Sequence, residues 1–126
     1  MQSHTRAIVA AAAYAVITAK KVAGIYDHAA DKHWRIAAEC RGDRVQAYDG
    51  ERSAYFGGAL PDLYDQGDQA FVSLVIDGAT ARGYDRGGAD FYEIAVTDRQ
   101  IDFYDHGESV WFTFHVQIAD EASATR

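Results

Sequence analysis

From Lys21 to Ile118 large apolar residues alternate with polar ones in short runs, the period-two signature of half-buried strands. The alternation predicts ten strands, roughly 21-27, 33-40, 43-49, 53-57, 60-65, 69-76, 79-85, 90-97, 100-105 and 109-118. Trp34, Ile36, Val72, Leu74, Ile76, Tyr92, Ile94, Val96, Phe112, Phe114 and Val116 fall on one face of these strands. Ile25, Val45, Ala47, Leu63, Ile101 and Phe103 join them, and that face is the expected core. Arg35, Ser73, Arg82, Glu93, Asp102, Thr113 and His115 occupy the other, wet face. Ahead of the strands, Ala7 to Ile17 is an unbroken apolar run of eleven residues, read as a helix over about 4–20. Its larger residues point in several directions, as in a helix buried on most sides.

The strands come as five copies of one hairpin. The dipeptide Tyr-Asp stands at 26-27, 48-49, 64-65, 84-85 and 104-105, at spacings of 22, 16, 20 and 20. Seven residues after each tyrosine comes a ring: His33, Tyr55, Phe71, Phe91 and Trp111. Each Asp suits a turn start because its carboxylate accepts hydrogen bonds from loop amides. Glycines such as Gly67, Gly87, Gly88 and Gly107 are expected to supply the positive φ of a four-to-five-residue loop. At the opposite hairpin ends, Asp77-Gly78 reads as a two-residue turn that sets Ile76 opposite Ala79. Arg41-Gly42 and Asp98-Arg99 match it in other copies. Repeat two is shortened around Gly57-Gly58 and followed by Pro61, the only proline, so a bend or sheet corner is expected there.

These elements predict an all-β fold. It is an antiparallel meander of about ten strands, closed as a barrel or strongly curled, with one N-terminal α-helix packed on the core face. Closure is favoured because an open sheet of ten strands leaves two bare edges. One domain spans 1-126, with the repeats at about 21-118 and a short C-terminal tail at 119-126. The eleven-residue apolar run is too short to cross a bilayer unaided. Ala13-Tyr14-Ala15 has the small-x-small form of a signal cleavage site, but the basic segment ahead of it is weak. A structural helix in a cytoplasmic protein is the reading; a signal or membrane-associated segment is the alternative.

Composition then removes several classes of function. Asp and Glu number 19 against 12 Lys and Arg, a net charge of -7, and the longest basic cluster is Lys20-Lys21. Phosphate backbones would be repelled, so no nucleic-acid partner is expected. Cys40 is the only cysteine, which excludes an internal disulfide and a cysteine-based metal cluster. The sequence carries no nucleophile elbow, phosphate loop, His-Glu-x-x-His or Rossmann fingerprint. An enzyme would therefore need a scattered active site, and no catalytic residue or cofactor is assigned.

On the wet face, ten rings gather at the Tyr-Asp end. Tyr26 pairs with His33, Tyr48 with Tyr55, Tyr64 with Phe71, Tyr84 with Phe91, and Tyr104 with Trp111. Cross-strand aromatic pairs stabilise sheets by about 0.2–1 kcal/mol each, which alone could account for the repeat. Exposed rings are also a recognition surface for another protein or a second copy of the chain. If the sheet closes, the first and last loops become neighbours. Asp27, His28, Asp105 and His106 would then be a donor set for a divalent metal. Hairpin-tip solvation and turn capping weigh against that. The loops also lack the Asp-x-Asp spacing of a calcium loop. Arg41-Gly42-Asp43 matches a tripeptide read by adhesion receptors, although a tight turn explains it; Cys40 reads as an inert thiol.

Gly24-Ile25-Tyr26-Asp27, Tyr55-Phe56-Gly57-Gly58-Ala59-Leu60-Pro61, Leu63-Tyr64-Asp65, Gly83-Tyr84-Asp85 and Phe103-Tyr104-Asp105 together resemble a group of uncharacterised bacterial proteins. Those proteins have a short apolar N-terminal helix followed by tandem Tyr-Asp β-hairpin repeats. The resemblance covers most of the chain and implies the repeat fold; it carries no functional residue with it. The expectation is a non-enzymatic binding or self-assembly module using the aromatic band. The alternative is a small barrel holding an apolar molecule inside.

Overall fold

The computed structural model describes residues 1–119. The tail expected at 119-126 lies, apart from Ala119, outside the described residues. Helix α1 (Ser3–Thr18) ends where Ala19 turns left-handed at φ 58° and its N–H bonds the Ala15 carbonyl at 3.0 Å. Twelve strand segments follow: β1 (Val22–Asp27), β2 (Lys32–Trp34), β3 (Ile36–Arg41), β4 (Arg44–Asp49), β5 (Ala54–Ala59), β6 (Asp62–Asp65), β7 (Ala70–Ser73), β8 (Val75–Asp77), β9 (Thr80–Asp85), β10 (Asp90–Thr97), β11 (Gln100–Asp105) and β12 (Val110–Ile118).

Two of the expected ten strands are interrupted, at Arg35 between β2 and β3 and at Leu74 between β7 and β8. The Leu74 N–H leaves the ladder to bond Pro61 O at 2.8 Å. Around the wall the order is β1-β3-β4-β5-β6-β7-β9-β10-β11-β12, and β12 returns to β1 through pairs such as Ile25 with Val116. The sheet is thus a closed ten-stranded antiparallel barrel, with β2 and β8 as extra segments on β1 and β9. Closure removes the edges an open meander would expose.

Helix α1 fills the barrel. Residues Thr5 to Ala15 are buried on every side, and the helix touches β1, β3, β4, β8, β10, β11 and β12. Alanine makes this fit, because a barrel of this size has room for a helix only if most of its side chains are short. Ile8, Val9 and Tyr14 join Ile25, Ile36, Leu63, Phe103 and Phe114 in one buried cluster. The expected core face is buried apart from Ile76, Val96 and Phe112, which are partly buried and pack against that cluster. The helix starts at the barrel mouth formed by the Tyr-Asp loops, where Thr5 Oγ1 donates to Asp68 at 3.0 Å. Its other end lies towards the two-residue turns, with Tyr14 within the electrostatic reach of Asp98 and Arg99.

Two turn expectations need correction. The two-residue turns are Gly42-Asp43 and Gly78-Ala79, one position later than Arg41-Gly42 and Asp77-Gly78. Ile76 accordingly faces Ala81, not Ala79, while Asp98-Arg99 stands as expected. Positive φ falls on the first loop residue, at 63° for Gly42, 61° for Gly78 and 53° for Asp98, which is what a type II′ turn requires. Glycine therefore leads the turn. In the longer loops, positive φ belongs to the fourth residue after each Asp: Asp31, Ser53, Gln69, Ala89 and Ser109, at 50–58°. The loop glycines serve close approach instead. A Cβ on Gly107 would stand 1.9 Å from Asp90 Oδ1, and one on Gly67 2.5 Å from the Arg52 guanidinium. At Gly57-Gly58, where a bend or sheet corner is expected, β5 and β6 share only the Phe56–Asp65 and Gly57–Tyr64 pairs.

Candidate functional site

Five aspartates, one per long loop, are buried beneath the loops: Asp27, Asp49, Asp65, Asp85 and Asp105. Each accepts from the amide two residues on, at 2.8–3.0 Å, so the side chain serves as the first turn of the loop. A buried carboxylate needs more than two amides, and most of the five find it. Asp27 accepts from the Trp34 indole at 3.3 Å. Arg52 bridges Asp49 at 2.6 Å and Asp65 at 3.1 Å. Asp105 meets the Met1 ammonium at 2.9 Å and Arg6 at 3.3 Å. Asp85 has loop amides but, among the described residues, no cation at ion-pair distance, and burial pushes its carboxyl above the usual range.

Because each Asp points inward, the tyrosine before it points outward, and so does the ring seven positions on. The five ring pairs stand in register across β1–β2, β4–β5, β6–β7, β9–β10 and β11–β12. Their centroids are 4.7 Å apart for Tyr26–His33, 4.9 Å for Tyr48–Tyr55, 4.9 Å for Tyr64–Phe71, 4.6 Å for Tyr84–Phe91 and 5.0 Å for Tyr104–Trp111. The pairs encircle the barrel just below the loop mouth. Tyr55, Phe91 and Trp111 remain 61–63% exposed, and Phe71 45%. Tyr26, Tyr64, Tyr84 and Tyr104 are half-buried under their partners. The Tyr26 hydroxyl donates to Asp31, and that bond, ahead of burial, raises its pKa.

The first and last loops do come together through β12–β1, yet Asp27, His28, Asp105 and His106 do not form a donor set. His28 bonds His115 across the seam and stands edge-on to Tyr26 at 4.7 Å. His106 bonds Glu93 at 2.6 Å and stands edge-on to Tyr104 at 4.7 Å. Asp27 and Asp105 face inward to their loop amides. Among the described residues no group of three or more His, Cys, Asp or Glu side chains is arranged to hold a metal ion. Cys40 sits at a strand end, its thiol raised by burial and by Asp43.

A groove of about 760 Å³ opens beside the band on the outer wall of β1 and β3 to β6. Its gap comes from Gly57, which faces Gln46 on one side and Tyr64 on the other. A Cβ there would stand 2.2 Å from Val45 O, so the wall bends too tightly for any side chain. Tyr48, Tyr55 and Tyr64 bound one end of the groove; Lys21 and Arg44 bound the other. The groove was not legible in the sequence beyond the glycine break at 57-58, because its lining comes from β1, β3, β4, β5 and β6, which only the folded wall sets side by side. No helix among the described residues is long and apolar enough to cross a membrane. Comparisons with models of known families, with curated proteins and with solved structures gave no match.

Proposed function

We propose that the protein is a non-enzymatic binding module whose aromatic band meets another protein, a second copy of the chain being the first partner to test. The carrying observation is the band itself: five paired rings at one level of a closed barrel, with their outer members left exposed. A sheet needs cross-strand pairs, but it does not need Tyr55, Phe91 and Trp111 in water at more than half their area. Rigid amphipathic rings are what protein interfaces collect. The barrel meets one condition of the interior-ligand alternative, but helix α1 occupies the lumen that such a ligand would need.

Light scattering on the wild type and on Tyr84→Ser/Tyr104→Ser tests the reading. A multiple of 13.9 kDa that falls to a single chain in the variant, with the β circular-dichroism signal kept, supports it. An unchanged mass in a folded variant removes the band from the interface. A single-chain wild type leaves capture of a different protein by the wild type, and not by the variant, as the deciding result.

A further inference from the structure

We infer that the groove beside the band binds a small organic anion with a flat apolar body. The inference rests on reading the band as a binding surface and adds an occupant for one stretch of it. The chemistry of the groove is polarised along its length. On the outer face of β4, Tyr48 and Arg44 are four residues apart, about 13 Å at the rise of a strand. At the first end, Tyr48 and Tyr55 tilt together at 4.9 Å, and Tyr64 stands across the gap left by Gly57. Such faces take an apolar ring or a planar chain. At the second end, Arg44 is exposed and, among the described residues, meets no carboxylate at ion-pair distance. Lys21, just ahead of β1, lines the same groove and lies 3.6 Å from Glu39, the one acidic side chain among its described lining residues.

Charge is what selects the ligand. The chain carries -7 overall, so a cationic end to an apolar groove runs against the background of the molecule. An open arginine presents a planar fork of donors suited to a carboxylate, sulfonate or phosphate. The volume of about 760 Å³ lies within the range of small-molecule sites. An occupant therefore places its ring system over the three tyrosines and its anionic group against Arg44.

Two fluorescent probes separate the parts of this inference. The first is 2-(p-toluidinyl)naphthalene-6-sulfonate, an elongated aryl anion; the second is its uncharged relative N-phenyl-2-naphthylamine. The full-length wild type is expected to bind both, the sulfonate more tightly. Arg44→Gln is expected to weaken the sulfonate about tenfold and leave the neutral probe unchanged. Added potassium chloride should likewise weaken only the sulfonate. Tyr55→Ser/Tyr64→Ser, with its fold checked by circular dichroism, is expected to weaken both probes. Equal affinity of wild type and Arg44→Gln for the sulfonate overturns the anion part. Unchanged binding to the folded tyrosine variant, or no binding to the wild type, overturns the site. Neither result touches the light-scattering test of the band, which uses Tyr84 and Tyr104 on the other side of the barrel.

Discussion

Arg52 leaves its own loop to grip the aspartate of the next one: its Nη2 lies 3.1 Å from Oδ2 of Asp65, while its Nε lies 2.6 Å from Asp49. Both carboxylates are at most 1% exposed, so a single guanidinium neutralises two buried charges from adjacent loops. Arg52→Leu leaves both uncompensated. The expected cost is about 3–5 kcal/mol, the range for breaking a buried pair. Arg52→Lys should recover only part, since an ammonium cannot span both acids as a fork does. Urea denaturation of the two variants gives the comparison.

Asp85 should behave in the opposite way. Burial raises its carboxyl above the usual value, partly offset by the amides of Gly87 and Gly88. A raised folded-state pKa gives a contribution that is full below the unfolded value, near 3.8, and lost as pH rises through the folded value. Asp85→Asn keeps an acceptor for the loop and removes the charge. The variant should therefore equal or exceed the wild type in stability at pH 7, the difference closing below pH 3.8. Thermal melts from pH 3 to pH 7 would show it; a variant much weaker at pH 7 contradicts this account.

Helix α1 acts as the core of the barrel. Removing residues 1-19 should unfold or aggregate the chain, because the lumen would be left lined with apolar side chains and no filler. Retention of the β signal in the truncated chain, with new affinity for a hydrophobic dye, would revive the interior-ligand reading. A milder version is Ala11→Leu. Ala11 is fully buried, and extra methylenes in a packed lumen are expected to cost about 1–3 kcal/mol in denaturant unfolding.

Glycines of two kinds should respond differently to alanine. Gly83 has no unusual φ, but its Cβ would stand 1.8 Å from Ser73 O, so the neighbouring backbone must move. Gly78 leads a turn at φ 61° with open space around it, so only the left-handed conformation is penalised. Gly78→Ala is expected to cost about 1–2 kcal/mol, and Gly83→Ala more. Equal losses in melting temperature would mean that the wall at Ser73 yields easily.

Much of this protein is legible in the chain because the pattern that sets it is local. The period-two alternation set the faces, so Trp34, Val72, Ile94 and Phe114 could be placed inside before any pairing was known. Tyr-Asp and the ring seven positions later lie on two strands joined by one short loop, and their pairing follows from that loop's length. Whatever depends on residues far apart was not readable. The Gly42 and Gly78 turns lie one residue later than the sequence suggests, because Asp-Gly and Gly-x turns both suit twisted strands and the residues alone do not choose between them. The loops of His28 and His106 do become neighbours on closure, but each imidazole is taken by a nearer side chain: His115 for one, Glu93 for the other. Arg52 with Asp65, and the groove that Lys21, Arg44 and Gly57 line together, join residues of separate loops and strands that only the folded wall sets side by side. Strands, faces and ring pairs could be read from the chain, since these obey periodicity and short loops. Closure, the helix in the lumen and the groove became visible only in three dimensions, because these depend on how ten strands and an alanine-rich helix share one volume.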